Sequence, residues 1–246
     1  MNHCGVQGAQ RSLSEFAFHD YSAFSQGYED KLTCLGYRTP ALMADFCAKE
    51  LPGQGRVLDL GCGTGLLGKA LHQRGLQASL VGLDLSPSML EQVPDGVYAE
   101  LQNGDCCQPL VYGNNHFQAA VSSGLSEYVL DLRAWFTEVR RVLSEGSLWA
   151  FSYALSQREP VKQIGQSMLV SHARDYVRFC LAVSGFAWQE DADIEAYHSG
   201  GELVTHVLTK ARARVKPTRI RPQVHPLPAA RRPRRDAYGC REASGA

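Results

Sequence analysis

The feature that most constrains the fold of this chain is an apolar run that ends in an acid and in glycines at alternate positions. It reads Val57-Leu58-Asp59-Leu60-Gly61-Cys62-Gly63-Thr64-Gly65, and a helical pattern from about Leu66 to Arg74 follows it. A short apolar run bounded by glycines predicts a buried strand. Only glycine lets a backbone pass close to a ligand in dihedrals that other residues avoid. The run therefore predicts a strand, a binding loop and a helix, with loop amides and the positive helix end open to a ligand.

The alternation of strand and helix continues along the chain. Further strands are predicted at Ser79–Leu83, Val97–Leu101, Phe117–Ser122 and Leu148–Tyr153. Helical patterns begin at Pro87 and at Leu132. Strands that alternate with helices predict an α/β fold, in which a mostly parallel sheet is covered by helices on both faces. In such a sheet the ligand lies at the carboxyl ends of the strands.

The segments outside this core predict a lid, a C-terminal hairpin and two irregular ends. We expect a flexible N-terminal segment at 1–20, one domain at 21–210 and a basic, Pro- and Arg-rich disordered tail at 211–246. The domain is subdivided into an N-terminal helical lid region (21–52), a cofactor-binding core (56–153) and a C-terminal helix and strands (154–210).

In the C-terminal part, polar and glycine-rich stretches mark the boundaries of the predicted elements. A polar linker runs from Ser156 to Gly165, and a helix is expected over 172–183. Two strands, at 186–190 and 203–209, flank Ser199-Gly200-Gly201 and are expected to pair as a terminal hairpin.

The charges are unevenly distributed between the body and the tail. From Lys210 onward there are eleven Lys or Arg and two acids, whereas the rest of the chain has 14 basic and 23 acidic residues. Binding to nucleic acid needs clustered cations, so we do not expect it of the acidic folded body. The tail leaves binding to nucleic acid or to an acidic partner open.

Cysteine usage and hydropathy indicate a cytoplasmic protein. No stretch approaches the roughly 20 apolar residues that cross a bilayer, and the first residues lack the features of a signal peptide. The eight cysteines include no C-x-x-C pair, so neither a metal site nor a disulfide framework is favoured. We expect reduced thiols, no metal and no membrane partner, with the adjacent Cys106 and Cys107 pointing apart.

Three acids follow three successive predicted strands. Asp59 can orient groups around an ammonium, and Asp105 can accept the exocyclic amine of an adenine. Asp84 stands about twenty residues after the loop, where a carboxylate accepts both hydroxyls of an adenosine ribose. A dinucleotide enzyme would have a third glycine where this chain has Leu66, so a pyrophosphate is not favoured.

Several runs of residues together resemble a known family. Leu58–Gly65, Leu83–Leu90, Phe117–Tyr128 and Glu138–Leu143 are similar to the successive motifs of type 11 class I S-adenosylmethionine-dependent methyltransferases. The likeness spans residues 18 to 210, approximately. Within that family, the run Tyr28 to Pro40 is similar to the start of the Williams-Beuren region methyltransferase-like proteins and of related bacterial enzymes.

The resemblance implies a Rossmann-like, seven-stranded sheet with an antiparallel last strand, and S-adenosyl-L-methionine as cofactor. The residues that it implies around the cofactor are Asp59, Gly61, Cys62, Gly63 and Gly65 at the methionine end, Asp84 and Leu85 at the ribose, Asp105 and Cys106 at the adenine, and Ser123 and Gly124 beside the methionine and the methyl group. The family's usual Gly-Gly turn before the fifth strand is replaced here by Glu145-Gly146-Ser147, away from the cofactor.

The catalytic residues are not fixed by these motifs. Methyl transfer is an in-line displacement, so alignment of the reactants is the main requirement. If the acceptor is a hydroxyl or an amine, Glu127, Tyr128 or His172 could take its proton. Tyr21 and Tyr28 are candidates for a lid over the cofactor or for contact with the acceptor.

The residues favour a methyltransferase that acts on an O, N or S atom of a small molecule. Two alternatives stay open: a nicotinamide-dependent oxidoreductase on a related fold, and a non-catalytic binding protein that keeps the S-adenosylmethionine fold. Neither the acceptor nor the oligomeric state can be inferred from the sequence.

Overall fold

A central sheet is built from seven strands of the chain, whose computed structural model describes residues 3–156, 161–164, 167–199 and 202–215. The strands are β1 (Arg56–Leu60), β2 (Ser79–Asp84), β3 (Glu100–Asn103), β4 (Phe117–Ser122), β5 (Leu143–Ala154), β8 (Phe186–Ser199) and β9 (Glu202–Ala213). Their order in the sheet is β3-β2-β1-β4-β5-β9-β8. Two short strands, β6 (Val161–Ile164) and β7 (Ser167–Val170), form a separate antiparallel pair.

Seven α-helices accompany the strands in the described part of the chain. They are α1 (His3–Phe24), α2 (Tyr28–Cys34), α3 (Thr39–Cys47), α4 (Leu66–Gln73), α5 (Pro87–Leu90), α6 (Leu132–Val142) and α7 (Arg174–Val183). Short 3-10 helices at Ala48–Glu50 and Ser126–Tyr128 complete the set.

The strand directions confirm the predicted fold class. β1 to β5 pair in parallel, while β9 lies antiparallel between β5 and β8. The last strand lies between β5 and the edge strand β8 because it returns from β8 as a hairpin. The carboxyl ends of β1, β2, β3 and β4 consequently meet at one edge, where the ligand of such a sheet lies.

The core lies on both faces of the sheet. β4 and β5 are buried along most of their lengths, as expected for strands covered on two sides. On one face, α6 packs an apolar stripe that includes Trp135 and Phe136, and it begins where Asp131 accepts a hydrogen bond from the Ala134 amide at 2.9 Å. On the other face, α3 and α4 pack against the sheet through residues such as Met43 and Leu71.

The start of the chain differs from its prediction. Residues 1–20 were expected to be irregular, whereas His3–Phe24 forms the helix α1. Its buried side chains include Leu13 and Ala17, four residues apart. Because this apolar face is short and carries a small alanine, it does not stand out from the polar residues around it.

The third strand and the linker also differ from their predictions. β3 covers Glu100–Asn103 rather than Val97–Leu101. The apolar Val97 packs toward Gly65 and Gly68, so the strand that pairs with β2 consists of more polar residues. The expected polar linker contains β6, because the pairing of a hairpin rests on backbone hydrogen bonds and does not require an apolar run.

The end of the fold lies slightly beyond its predicted position. β8 and β9 form the expected hairpin but are longer, and β9 continues to Ala213, three residues past Lys210. The predicted disordered tail lies outside the described residues from position 216 onward.

Gly82 in β2 provides a test of packing beneath the glycine loop. A Cβ at this position would lie 2.8 Å from both Cys62 Sγ and Leu101 Cδ2. Such overpacking costs about 1–3 kcal/mol, so Gly82→Ala should lower the free energy of unfolding in urea by that amount. Gly53→Ala is the control, because a Cβ there meets nothing within 4 Å. Equal unfolding midpoints for the two variants would contradict this packing.

Candidate functional site

The glycine loop joins β1 to α4 at the carboxyl edge of the sheet. Gly61, Gly63 and Gly65 have φ values of 69°, 52° and 85°, a region that favours glycine. The amides of Gly61 and Cys62 donate to the Leu83 carbonyl at 2.8 and 3.1 Å. The loop is thereby fastened to the end of β2, where the second predicted acid stands.

Asp84 at the end of β2 is held by backbone amides. Its Oδ2 accepts from Gly63 N at 2.8 Å, and its Oδ1 accepts from Ser86 N at 2.9 Å. Burial raises the pKa of Asp84, although these amide hydrogen bonds act in the opposite direction. The carboxylate is thus fixed between the glycine loop and the start of α5.

Asp59 in β1 is a buried carboxyl group with one free oxygen. It is 1% exposed, and its Oδ2 accepts from the Tyr98 hydroxyl at 2.6 Å. Its Oδ1 has no hydrogen-bond partner among the described residues. Burial raises the pKa of Asp59 to about 7. A buried oxygen of this kind requires a donor, and a cationic donor would favour its charged form.

The third acid lies in a turn after β3. Asp105 Oδ1 accepts from Cys107 N at 2.8 Å, and the turn brings the thiols of Cys106 and Cys107 together. The expectation that these thiols point apart is wrong, because the turn closed by the Asp105 carboxylate brings the two sulfur atoms close to each other. Together with a carboxylate oxygen of Asp105 they lie within 4.8 Å of one another, close enough to share a metal ion. The side-chain hydrogen bond with Cys107 and burial both raise the pKa of Cys106.

Three cavities meet at Gly61, which lines each of them. The central cavity has a volume of about 210 Å³, the second about 60 Å³ and the third about 40 Å³. Predicted site residues in the central cavity include Tyr21, Tyr28, Gly63, Asp84, Ser123, Gly124, Glu127 and Tyr128. The second is lined by Asp84, Leu85, Asp105 and Cys106, and the third by Asp59, Cys62, Gly63 and Ser123.

Two predicted residues do not line these three cavities. Gly65 caps α4 in a left-handed conformation, facing Tyr98 and Val93. His172 is buried, and its Nε2 lies 3.2 Å from the carbonyl oxygen of Ser126. Burial lowers the pKa of His172, which favours a neutral ring in a packing role. The geometry therefore does not support His172 as the base.

The helices α1 and α2 form a roof over the central and second cavities, where the sequence placed a lid. The Tyr21 hydroxyl on α1 donates to the Tyr128 hydroxyl at 3.1 Å, and the two rings meet edge to face. On α2, Glu29 Oε1 accepts from the Thr64 hydroxyl at 2.8 Å and from Lys69 Nζ at 2.7 Å. Glu29 thus connects the roof to the glycine loop and to α4.

The Glu29 contact provides a test of the roof. Burial alone would raise the pKa of Glu29, but hydrogen bonds from Lys69 and Thr64 lower it overall. The contact should accordingly be present near neutral pH and be lost as the pH falls through this lowered pKa. Exposed ion pairs are worth about 0.2–1 kcal/mol, so Glu29→Gln should speed amide exchange in α2 by up to about fivefold. The exposed neighbour Asp30→Asn should leave it unchanged, and equal exchange in both variants would contradict the contact.

Glu127 is at the centre of a buried polar group that the sequence did not reveal in full. It is 5% exposed and lines the central cavity. Its Oε2 accepts from the Tyr197 hydroxyl at 3.1 Å, and its Oε1 lies 2.8 Å from His206 Nε2. The other ring nitrogen of His206 lies 3.3 Å from the Thr39 hydroxyl. Both His206 and Thr39 are fully buried, so His206 borders Glu127 on its buried side and Thr39 borders His206.

Sequence reasoning missed Tyr37, Tyr197 and His206. Tyr37 lies close to Gly124, where a Cβ would stand 2.5 Å from the Tyr37 hydroxyl oxygen and where φ is 75°. Tyr197 and His206 come from β8 and β9, about 70 and 80 residues after Glu127. The available signal was a histidine among the apolar residues of the strand predicted at 203–209.

Comparison with protein families identifies a similarity in the centre of the chain. Residues 57–146 match the family described as "Methyltransferase domain". This segment runs from the glycine loop to the turn before the body of β5, and it contains the three acids and Glu127.

Curated relatives share this region. The chain is 38% identical over 87 residues to human methyltransferase-like protein 27, covering 34% of this chain and 35% of that protein. It is 29% identical over 157 residues to a ubiquinone/menaquinone biosynthesis C-methyltransferase of Desulfotalea psychrophila, covering 63% and 61%. The chain thus spans less than two thirds of the length of these relatives.

Solved structures share the fold at low identity. A SAM-dependent methyltransferase of Methanosarcina mazei matches with a TM-score of 0.60 and 16% identity, over 70% of this chain and 98% of the other. A geranyl diphosphate C-methyltransferase of Streptomyces coelicolor matches with a TM-score of 0.59 and 16% identity, over 70% and 77%. Among the described residues, the structure has no helix that is both long and apolar enough to cross a bilayer.

Proposed function

We propose that this chain, which belongs to the class I S-adenosylmethionine-dependent methyltransferases, transfers a methyl group from S-adenosylmethionine to an O, N or S atom of a small molecule. The observation that carries the proposal is the meeting of three cavities at Gly61, each lined by at least one of the acids Asp59, Asp84 and Asp105. The D. psychrophila relative is named for a methylation in quinone biosynthesis, which supports a small acceptor. The cytoplasmic location stays a prediction.

The residues around the cavities fit the cofactor group by group. The free Oδ1 of buried Asp59, in the third cavity, offers an acceptor for an ammonium. Asp84 lines both the central and the second cavity, as a ribose between methionine and adenine would require. Leu85, Asp105 and Cys106 would surround the adenine in the second cavity.

When bound, S-adenosylmethionine supplies an electrophilic methyl group on a sulfur that leaves with its electron pair. The chain's own residues supply the rest. Gly61 and Ser123 both line the central cavity and would help to hold the reactants in line. Glu127 is the acid of the central cavity that lies away from the ribose position, where it would take a proton from a hydroxyl or amine acceptor.

Asp59 should make cofactor binding depend on pH. An ammonium beside this carboxyl group favours its ionised form, so the pKa of about 7 should fall on binding. Affinity for S-adenosylhomocysteine is then highest above pH 7 and weakens as the pH drops below it, with release of a proton on binding. Calorimetry in buffers of different ionisation heat measures both effects. Asp59→Asn should remove the proton release, and an affinity in the native chain that is equal at about pH 6 and about pH 8 would contradict this role.

A transfer assay tests the proposed function directly. The full chain is incubated with S-adenosylmethionine labelled in the methyl group and with a fractionated small-molecule extract, and labelled products are identified by mass spectrometry. The proposal expects a labelled small molecule that forms only with the active chain. Label found solely on protein or nucleic acid would contradict the assignment of the acceptor.

A further inference from the structure

We propose, building on the function above, that the acceptor is a small organic amine, bound as its ammonium ion between Glu127 and a cage of tyrosine rings. The tyrosine cage consists of Tyr21, Tyr28, Tyr37, Tyr128 and Tyr197, all of which line the central cavity. Aromatic faces around one carboxylate form a site that attracts organic cations.

The cage is assembled from five separate parts of the fold, with Tyr37 lying between α2 and α3. Tyr21 comes from α1, Tyr28 from α2, Tyr128 from the 3-10 helix after β4, and Tyr197 from β8. Tyr21 meets Tyr28 and Tyr128 edge to face, with ring centroids 5.8 and 5.5 Å apart. Tyr37 meets Tyr197 in the same way at 5.8 Å. Edge-to-face packing fixes each ring, so the cage is preorganised for a ligand.

The cage contributes rings and hydroxyl dipoles rather than charge. Burial raises the pKa of Tyr21, Tyr28, Tyr37 and Tyr197, so these hydroxyls stay neutral. The Glu127 carboxylate accepts from the Tyr197 hydroxyl at 3.1 Å and lines the same cavity as the five rings. Glu127 is therefore the negative centre of the cage.

Glu127 has the geometry of a carboxylate that holds a cation. It is 5% exposed, its Oε2 accepts from Tyr197, and its Oε1 faces His206. Carboxylate oxygens each accept more than one hydrogen bond, so both retain capacity for donors from a ligand. A buried carboxylate with spare capacity gains most from a positively charged donor.

The charges around the central cavity disfavour acidic acceptors. Among the described residues that line it, Lys31 is the basic one, and it lies on the exposed side of α2. Asp84 and Glu127 are the acidic ones, and both are close to the tyrosine rings. A carboxylate or phosphate would meet two like charges, whereas an ammonium meets two opposite ones.

Methyl transfer requires the neutral amine, and a site that binds the ammonium also disfavours its deprotonation, so a proton acceptor must lie beside the nitrogen. Glu127 takes one proton from the bound ammonium, which leaves the nitrogen with a free electron pair for bond formation. His206 acts as a positioning residue, since its Nε2 lies 2.8 Å from the carboxylate on the buried side and it does not line the central cavity. Thr39 lies behind it, with its hydroxyl 3.3 Å from His206 Nδ1. The proton leaves by way of the Glu127 carboxylate when the site opens.

A matched pair of ligands tests the cage without relying on activity. Tetramethylammonium and tert-butanol have similar size and shape and differ in charge. Calorimetry on the full chain saturated with S-adenosylhomocysteine should give tetramethylammonium an affinity at least about tenfold higher than tert-butanol. Equal affinities would overturn the proposal. This comparison uses the native chain, so it does not depend on the folding of any variant.

Variants of the cage locate the cation. Glu127→Gln and Tyr21→Leu should each weaken tetramethylammonium about tenfold and leave tert-butanol unchanged. The exposed Glu145→Gln is the matched control and should change neither. A loss of affinity that is equal for both ligands would assign these residues to general packing and contradict the cage.

A series of three compounds, tested as methyl acceptors, separates this inference from the proposed function. Phenethylamine, 2-phenylethanol and phenylacetate present an amine, an alcohol and a carboxylate on one scaffold. The inference expects methylation of the amine above the other two. Methylation of the alcohol or the carboxylate instead would overturn the inference of an amine acceptor and leave the proposed methyltransferase function in place. If S-adenosylhomocysteine does not bind, the proposed function fails. Binding of tetramethylammonium to the free chain then still shows whether the tyrosine cage holds a cation.

Discussion

Asp84→Ala should abolish measurable binding of S-adenosylhomocysteine. The variant loses a carboxylate that lines both the central and the second cavity and would accept the two ribose hydroxyls. Hydrogen bonds to a charged group are worth about 1.5–3 kcal/mol each, so two of them predict a dissociation constant raised at least about 100-fold. Calorimetric titration measures the change.

The control for this variant must separate ligand contact from loop structure. Asp84 also accepts from Gly63 and Ser86, so its removal could loosen the glycine loop. Asp84→Asn keeps one acceptor oxygen for these amides and removes the charge, and it should still weaken binding strongly. Asp95→Ala, on the exposed turn that follows α5, should bind normally. Native affinity in Asp84→Ala would mean that the ribose is held elsewhere.

Glu127→Gln should reduce the rate of methyl transfer while leaving cofactor affinity close to native. A general base contributes about 10²- to 10⁴-fold to the rate, so kcat with the identified acceptor should fall within that range. The glutamine keeps the size of the side chain and an oxygen that can accept from Tyr197. The expected result is therefore a loss of chemistry in a folded, cofactor-binding protein.

Two further measurements test this interpretation of the Glu127 variant. Thermal unfolding should show a cooperative transition, since a carbonyl oxygen still faces the Tyr197 hydroxyl. The exposed Glu145→Gln should keep the native rate. If Glu127→Gln retains native kcat with an amine or hydroxyl acceptor, then another group or water takes the proton and the assignment of the base is wrong.

The gathering of the acids in the proposed cofactor half of the site could be predicted because it depends on local pattern. The glycine loop follows its own strand directly, and Asp84 and Asp105 follow theirs within a few residues. Parallel strands bring their carboxyl ends to one edge, so sequence order sufficed to gather these acids. What the sequence did not reveal was the partner of Asp59, because Tyr98 comes from a different segment, just before β3.

The acceptor half could not be predicted, because distant segments build it. Tyr37 precedes the sheet, whereas Tyr197 and His206 arrive on the terminal hairpin. The pairing of β9 with β5 places His206 opposite Ala154 and brings it to Glu127. No local pattern encodes such a register, since it is set by the packing of the whole sheet. The helix α1, which supplies Tyr21, was missed for the different reason that its apolar face is weak.

The roles proposed for these residues all depend on binding of S-adenosylmethionine at the cavities around Gly61, and calorimetry measures that binding directly. The purified chain is titrated with S-adenosylhomocysteine and, separately, with NADH. We expect stoichiometric binding of S-adenosylhomocysteine that is lost in Asp84→Ala, and no binding of NADH. Binding of NADH without binding of S-adenosylhomocysteine would contradict the proposed cofactor.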